Sequence, residues 1–114
     1  MNQVDGAWRA LYAERLWGEG LVVLRSGKLL GCDPQYFYEG DYTVSDDGRL
    51  SARIHVRHYA GLRRSIFQRG AAVTLEEYSA ELQGRIIGSE ARLTGTVINA
   101  DYEFGIVLTR IIPR

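Results

Sequence analysis

Apolar and polar residues alternate with a period of two along most of the chain, which is typical of β-strands with one buried face. The clearest case is the segment 50–57, where Leu50, Ala52, Ile54 and Val56 alternate with polar residues. Shorter or less regular versions of the pattern predict seven further strands, at residues 7–12, 21–24, 28–32, 36–44, 73–86, 91–97 and from 104 to before Pro113.

Tight turns separate several of the predicted strands. Ser26-Gly27, Asp46-Asp47-Gly48 and Gly88-Ser89 contain residue types that tolerate the backbone angles of hairpin turns. Sequential antiparallel strands joined in this way close naturally into a barrel without exposed edges. The sequence therefore predicts an all-β fold, an eight-stranded antiparallel up-and-down barrel that forms a single domain over residues 1–114.

The segment 59–71 is the least regular part of the chain. Leu62, Ile66 and Phe67 stand at helical spacing there, so the pattern allows at most one short helical turn. In the strand that follows, the alternation slips between Leu75 and Tyr78, and this slip suggests a β-bulge.

Large aromatic residues dominate the predicted inner face. An eight-stranded barrel is just wide enough to be filled by its own side chains or to hold one small ligand. Buried tyrosine hydroxyls need hydrogen-bond partners, and a polar-lined pocket would supply them. The residues expected to point inward are Trp8, Tyr42, Leu50, Ile54, Leu82, Leu93 and Ile106. The residues that would line a ligand cavity are Trp8, Tyr12, Tyr38, Tyr42 and Tyr78.

The predicted outer face also contains apolar residues: Leu11, Leu21, Val23, Val107 and Ile111. In a closed barrel the first and last strands are neighbours, so these residues are expected to form one patch. A contiguous exposed apolar patch usually marks an interface, so we expect a homodimer. The alternative is that a loop or helix of the same chain covers the patch.

The charges of the chain balance, with 14 basic and 14 acidic residues. This balance argues against a strongly basic nucleic-acid binder, and direct nucleic-acid binding is not expected. Six arginines and no acids lie in the segment 49–75. A basic patch there could contact phosphates or an acidic partner, but we favour a solvated face on which Glu77 and Glu81 of the next strand neutralise Arg53 and Arg57.

Residue types suited to catalysis or metal binding are sparse. Cys32 is the lone cysteine, which excludes an internal disulfide. His55 and His58 face opposite sides of their strand and cannot chelate one metal together. We therefore expect no enzymatic activity, no metal and no cofactor. The charged N-terminal segment lacks the apolar run of a signal peptide, and no stretch is long enough for a membrane helix, so we expect a cytoplasmic protein.

Several motifs resemble those of a known family. They are GxW at residues 6–8, GEGLVVLRSGKLLGCD at 18–33, YFYxGxY at 36–42, ELxGxIxG at 81–88 and LTR at 108–110. This pattern resembles the GrlR-like family, named for the repressor of a type III secretion regulon in enteric pathogens.

The resemblance implies a lipocalin-like barrel that forms homodimers. It also implies negative regulation of transcription by binding a transcriptional activator. The family's repressor contacts its partner through an acidic turn, and the matching hairpin here is Ser45-Asp46-Asp47-Gly48. The resemblance thus points to Asp46 and Asp47 as partner-binding residues. The alternative function is that of a carrier for a small apolar ligand inside the barrel.

Overall fold

The computed structural model describes residues 4–13, 18–68, 71–100 and 102–113. Within these residues the regular structure is entirely β-strand. The strands are β1 (Gly6–Tyr12), β2 (Glu19–Arg25), β3 (Lys28–Cys32), β4 (Tyr36–Val44), β5 (Arg49–His58), β6 (Arg64–Gln68), β7 (Ala71–Leu75), β8 (Glu77–Ile87), β9 (Glu90–Val97) and β10 (Tyr102–Pro113).

Eight of these strands form a closed antiparallel barrel, in the order β1-β10-β9-β8-β5-β4-β3-β2. Strands that are neighbours along the barrel wall are also neighbours in the chain, apart from the insertion between β5 and β8 and the closure of β1 on β10. The prediction of an eight-stranded up-and-down barrel is confirmed. Closure gives every barrel strand a neighbour on both sides and leaves no open edge in the barrel wall.

The segment after β5 differs from the prediction. No helical turn forms around Leu62, Ile66 and Phe67, because β6 pairs with β7 as a separate two-stranded sheet. The single strand expected over 73–86 is divided at Glu76 into the end of β7 and the barrel strand β8. The slip in alternation before Tyr78 therefore marks the point where the chain passes from this hairpin into the barrel wall.

The core lies inside the barrel, where the inward side chains of all eight strands meet. The seven residues predicted to point inward are each at most 6% exposed. The larger side chains that complete the interior include Tyr36, Tyr38, Leu24, Val56, Tyr78 and Phe104. Because these residues alternate with exposed ones on every barrel strand, the period-two pattern alone decides which side chains enter the core.

Inward glycines let neighbouring strands approach closely. A Cβ atom on Gly40 would fall against the carbonyl oxygen of Arg53, and one on Gly95 would overlap the ring of Phe104. A side chain at either position would force the wall apart or displace the ring, which is the cost of overpacking a dense core. These glycines therefore fix the narrow interior of this barrel.

Candidate functional site

The outer wall carries an apolar surface where β10, β1, β2 and β3 lie side by side. Leu11 on β1 pairs with Val107 on β10, and Leu21 on β2 is the diagonal neighbour of Leu11. Cross-strand and diagonal neighbours of this kind contact one another. We define the outer apolar face as Leu11, Leu21, Val23, Leu30, Val107 and Ile111.

Two strand contacts extend this face beyond the first and last strands. Val23 on β2 pairs directly with Leu30 on β3. Ile111 is the extra residue of a β-bulge, where the register of β10 shifts between the partners of Ala7 and Trp8. Leu30 was missing from the sequence-based set, because it stands next to Leu29 and the pattern does not tell which of the two leucines points inward.

The outer apolar face is exposed in the monomer. Leu11, Leu21, Val23 and Ile111 are 41–52% exposed and Leu30 is 62% exposed, while Val107 is half-buried. No segment among the described residues covers these side chains. Such exposure is what the interface prediction requires of these residues.

A charged pair lies within the outer apolar face. Arg9 stands directly opposite Leu21 and beside Leu11, and its Nε donates to Glu19 Oε2 over 2.8 Å. Both side chains of this ion pair are about half exposed. Cys32, also exposed, is the cross-strand partner of Leu21 and so lies at the border of the face.

The five residues predicted to line a ligand cavity all point into the barrel, and each is at most 7% exposed. The protein itself supplies partners for several hydroxyls. Tyr42 donates to Asp5 Oδ1 over 2.9 Å, Tyr38 donates to Asp33 Oδ2, and Tyr78 accepts from Arg64. The hydroxyl requirement behind the carrier hypothesis is therefore met for these three without any ligand.

Asp33 is a buried acid at one end of the barrel, in the loop between β3 and β4. Its Oδ1 accepts hydrogen bonds from the backbone N–H groups of Gln35 (2.8 Å) and Tyr36 (2.7 Å). This is an Asx-type turn, in which the side chain replaces a backbone acceptor. The turn fixes the carboxylate and leaves Oδ2 directed into the barrel, where Tyr38 donates to it.

Arg64, the first residue of β6, reaches into this end of the barrel. Its Nη2 forms an ion pair with Asp33 Oδ2, and its Nη1 donates to the Tyr78 hydroxyl over 2.9 Å. The guanidinium carbon lies 4.2 Å from the ring centre of Tyr36 and 4.8 Å from that of Tyr12. We call Asp33, Tyr12, Tyr36, Tyr38 and Tyr78 the barrel-end cage.

Sequence reasoning missed both charged members of this arrangement. From the sequence, Arg64 is one of six arginines in the segment 49–75 with no role of its own, but its side chain is only 3% exposed. Asp33 stands before Pro34, and an Asp-Pro pair is already explained as the end of a strand, so it does not suggest a buried acid. The available signal was an isolated Asp–Pro–x–Tyr turn followed by inward tyrosines, and it does not reveal which distant cation would join it.

Burial alters the acid–base behaviour of the interior tyrosines. Desolvation is the main cause that raises the pKa of Tyr12, Tyr36, Tyr38 and Tyr78, and with the Asp5 hydrogen bond it raises the pKa of Tyr42 to about 12. In the unfolded chain these groups lose their protons near the ordinary tyrosine pKa of about 10. Above a pH of about 10, the folded state thus retains protons that the unfolded state has lost. The free energy of unfolding therefore falls as the pH rises beyond this value.

We therefore expect five of the seven tyrosines to titrate late. In a spectrophotometric titration, most of the tyrosinate absorbance should appear only as the far-ultraviolet circular dichroism of the fold is lost. The same titration in denaturant should show all tyrosines ionising near the ordinary value of about 10. Ionisation of all seven near that value in a still folded protein would contradict the buried hydroxyl network.

Asp46 and Asp47, predicted to bind a partner, are exposed at the β4–β5 hairpin. Asp47 is already engaged locally, since it accepts a hydrogen bond from Ser45 Oγ and lies 3.9 Å from Arg85 Nη1. The Ser45 hydrogen bond is the main cause that lowers the pKa of Asp47. Gly48 completes the turn with a φ of 85°, so the turn chemistry accounts for its sequence without a partner.

Two of the three outward arginines of β5 stand opposite acids on the neighbouring strand β8. Arg53 stands opposite Glu81 and Arg57 opposite Glu77, as expected for a solvated face. His55 lies on the same outer face, with Nε2 2.5 Å from Glu77 Oε2. His58 points the other way, with its ring edge against Tyr36, and the two histidines do not share a site.

Comparison of the chain with models of known protein families and with curated protein sequences finds no match. Within the part of the chain that the structure describes, no three His, Cys, Asp or Glu side chains are grouped so that they could hold a metal ion. The same described ranges include no helix of the length and apolarity that a membrane crossing requires.

Proposed function

We propose that this protein is a non-enzymatic regulatory module that acts in the cytoplasm by binding proteins, beginning with a second copy of itself. The outer apolar face is the observation that carries this proposal. Monomeric proteins rarely expose contiguous apolar patches of more than a few hundred Å2 unless the patch is functional. Here six apolar residues, five of them 41–62% exposed, lie on four adjacent strands, with the Arg9–Glu19 pair among them.

A second copy is the occupant that the charges favour. The chain has a formal net charge of zero, so two copies do not repel each other over long distances. The face itself contains one cation and one anion side by side, and a two-fold axis can place Arg9 of one copy near Glu19 of the other. Because the barrel wall has no open edge, association through this face has to use side chains instead of strand addition.

The dimer is tested most simply by sedimentation velocity over a wide range of protein concentration. The proposal predicts a shift from monomer to dimer as concentration rises, with little dependence on salt because the contact is mainly apolar. A species that stays monomeric at high micromolar concentration would remove the self-association on which the proposal rests.

For the regulatory partner, the resemblance to the GrlR-like family suggests a transcriptional activator with a basic surface. The acidic turn supports this assignment only by its position, since Asp46 and Asp47 are exposed at a hairpin tip. This tip is at the opposite end of the barrel from the barrel-end cage and lies on the β4–β5 side of the wall. The turn therefore remains accessible when the outer apolar face is occupied.

Replacing Asp46 and Asp47 by alanine should weaken capture of such an activator from the protein's own cells, and added salt should weaken it further. Thermal stability should stay nearly unchanged, because both side chains are exposed. Glu81→Ala, which removes an exposed acid elsewhere on the wall, is the matched control. Equal capture by the parent and the double variant would exclude this turn as the docking point.

The contacts of the barrel interior do not favour the carrier function. Three of the five predicted cavity residues form hydrogen bonds with Asp5, Asp33 or Arg64. The largest inward side chain, Trp8, donates its indole N–H to the Val4 carbonyl over 3.0 Å. These contacts explain the inward polar groups by the needs of the fold itself.

A further inference from the structure

The barrel-end cage is built entirely by the barrel, while the cation inside it comes from another element. Asp33 belongs to the β3–β4 loop, Tyr12 to β1, Tyr36 and Tyr38 to β4, and Tyr78 to β8. Arg64 begins β6, which pairs with β7 in a separate sheet. The cage and the arginine inside it therefore belong to separate parts of the structure.

The acceptor of the cage is organised without help from Arg64. Two backbone N–H groups hold Asp33 Oδ1, and the Asp33 N–H donates to the Tyr36 carbonyl over 2.9 Å. Tyr59 also donates its hydroxyl to the Asp33 carbonyl over 2.6 Å. These bonds remain when the guanidinium is removed, so the carboxylate keeps its place and direction.

The chemistry of the cage matches a guanidinium group in particular. A carboxylate accepts one N–H, a tyrosine hydroxyl accepts another, and two aromatic rings lie within 5 Å of the guanidinium carbon. Aromatic faces attract cations, most strongly where water is excluded. The planar guanidinium offers several N–H donors in fixed directions, which an ammonium group does not.

We propose that the barrel-end cage is a recognition site for guanidinium-bearing ligands and that Arg64 is its intramolecular occupant. A ligand enters when the Arg64 side chain leaves. The segment Ala60–Arg63, which directly precedes Arg64, is exposed and gives a partner protein a place to dock. An arginine of the docked partner would then compete with the Arg64 side chain for the cage at a high effective concentration. This site shares no residue with the outer apolar face. A test that finds no dimer would therefore leave the proposal for the barrel-end cage unchanged.

The main chain of Arg64 is fixed separately from its side chain. The Tyr36 hydroxyl accepts from the Arg64 N–H over 2.6 Å and donates to the Leu75 carbonyl over 2.5 Å. This hydroxyl thus joins the two ends of the β6–β7 hairpin to the barrel. Truncating the Arg64 side chain should empty the cage while leaving these attachments intact.

The test uses Arg64→Ala and ethylguanidinium, which replaces the atoms that this substitution removes. We expect a saturable rise in the thermal midpoint of Arg64→Ala. At a probe concentration 100 times its dissociation constant, the ratio of folded to unfolded protein should increase about a hundredfold. The wild-type protein should not respond at the same concentrations, because its cage is filled.

Two controls make the test specific. The double variant Asp33→Asn/Arg64→Ala lacks the carboxylate and should lose the response, and ethylammonium should stabilise Arg64→Ala less than ethylguanidinium does. If Arg64→Ala does not fold alone, ethylguanidinium should restore its β-type circular dichroism. Equal stabilisation of the single and double variants, or no restoration of an unfolded Arg64→Ala by saturating probe, would overturn the proposal.

Discussion

Replacing Val23 and Leu30 together by aspartate should abolish the proposed dimer and leave a folded monomer. The two side chains are direct cross-strand partners on the outer apolar face, and they are 41% and 62% exposed. In the monomer the new carboxylates would stay in water and cost little. In a dimer formed through this face they would be desolvated against apolar side chains, and each unpaired buried charge is strongly unfavourable.

Sedimentation velocity and circular dichroism together measure this effect. We expect the parent to sediment as a dimer at high concentration, and the double variant to sediment as a monomer at the same concentration with an unchanged β-type spectrum. Ile87→Asp is the matched control, because Ile87 is 74% exposed on β8, which lies across the barrel from β2. A double variant that still dimerises like the parent would exclude the outer apolar face as the interface.

The second large effect concerns the buried ion pair between Asp33 of the barrel-end cage and Arg64. Asp33→Asn keeps the shape of the side chain but leaves the Arg64 guanidinium, which is only 3% exposed, without its counter-charge. Removing one partner of a buried ion pair typically costs about 3–5 kcal/mol. We expect a loss of that size in the free energy of unfolding, measured with urea.

Two further variants separate the effect of leaving a buried charge unpaired from the effect of removing any carboxylate. Asp41→Asn breaks the exposed pair with Lys28, and such pairs contribute little to stability. The double variant Asp33→Asn/Arg64→Met should lose less stability than the sum of its two single variants, because it leaves no unpaired charge inside. A loss for Asp33→Asn no larger than that for Asp41→Asn would contradict the buried ion pair.

The barrel was predictable because each of its strands has one buried and one exposed face. In β5 the inward Leu50 and Ile54 alternate with outward charges, so the periodicity alone determines strand, face and neighbours. The outer apolar face followed from the same alternation, since Leu11 and Val107 break the polar side of their strands. Whether a second copy occupies that face depends on how well the surfaces of two molecules fit together. The alternation of residues along one chain does not predict this fit.

The segment between β5 and β8 and the barrel-end cage were not predictable in this way. The hairpin leaves the barrel wall, so the alternation of its residues is no longer tied to the core. The meeting of Asp33 with Arg64, 31 residues apart, depends on where the hairpin enters the barrel end. Local composition instead suggests that Asp33 ends a strand and that Arg64 is solvated. Tertiary packing buries both side chains as an ion pair.

The lone cysteine offers the most direct measurement of the central claim, that the outer apolar face is an interface between two copies. Cys32 is exposed and stands opposite Leu21 at the border of this face. A second copy bound there should shield its thiol, so the rate of alkylation by a maleimide should fall as protein concentration rises. The Val23→Asp/Leu30→Asp variant should react at a constant, fast rate. A parent protein whose Cys32 reacts equally fast at every concentration would contradict the claim.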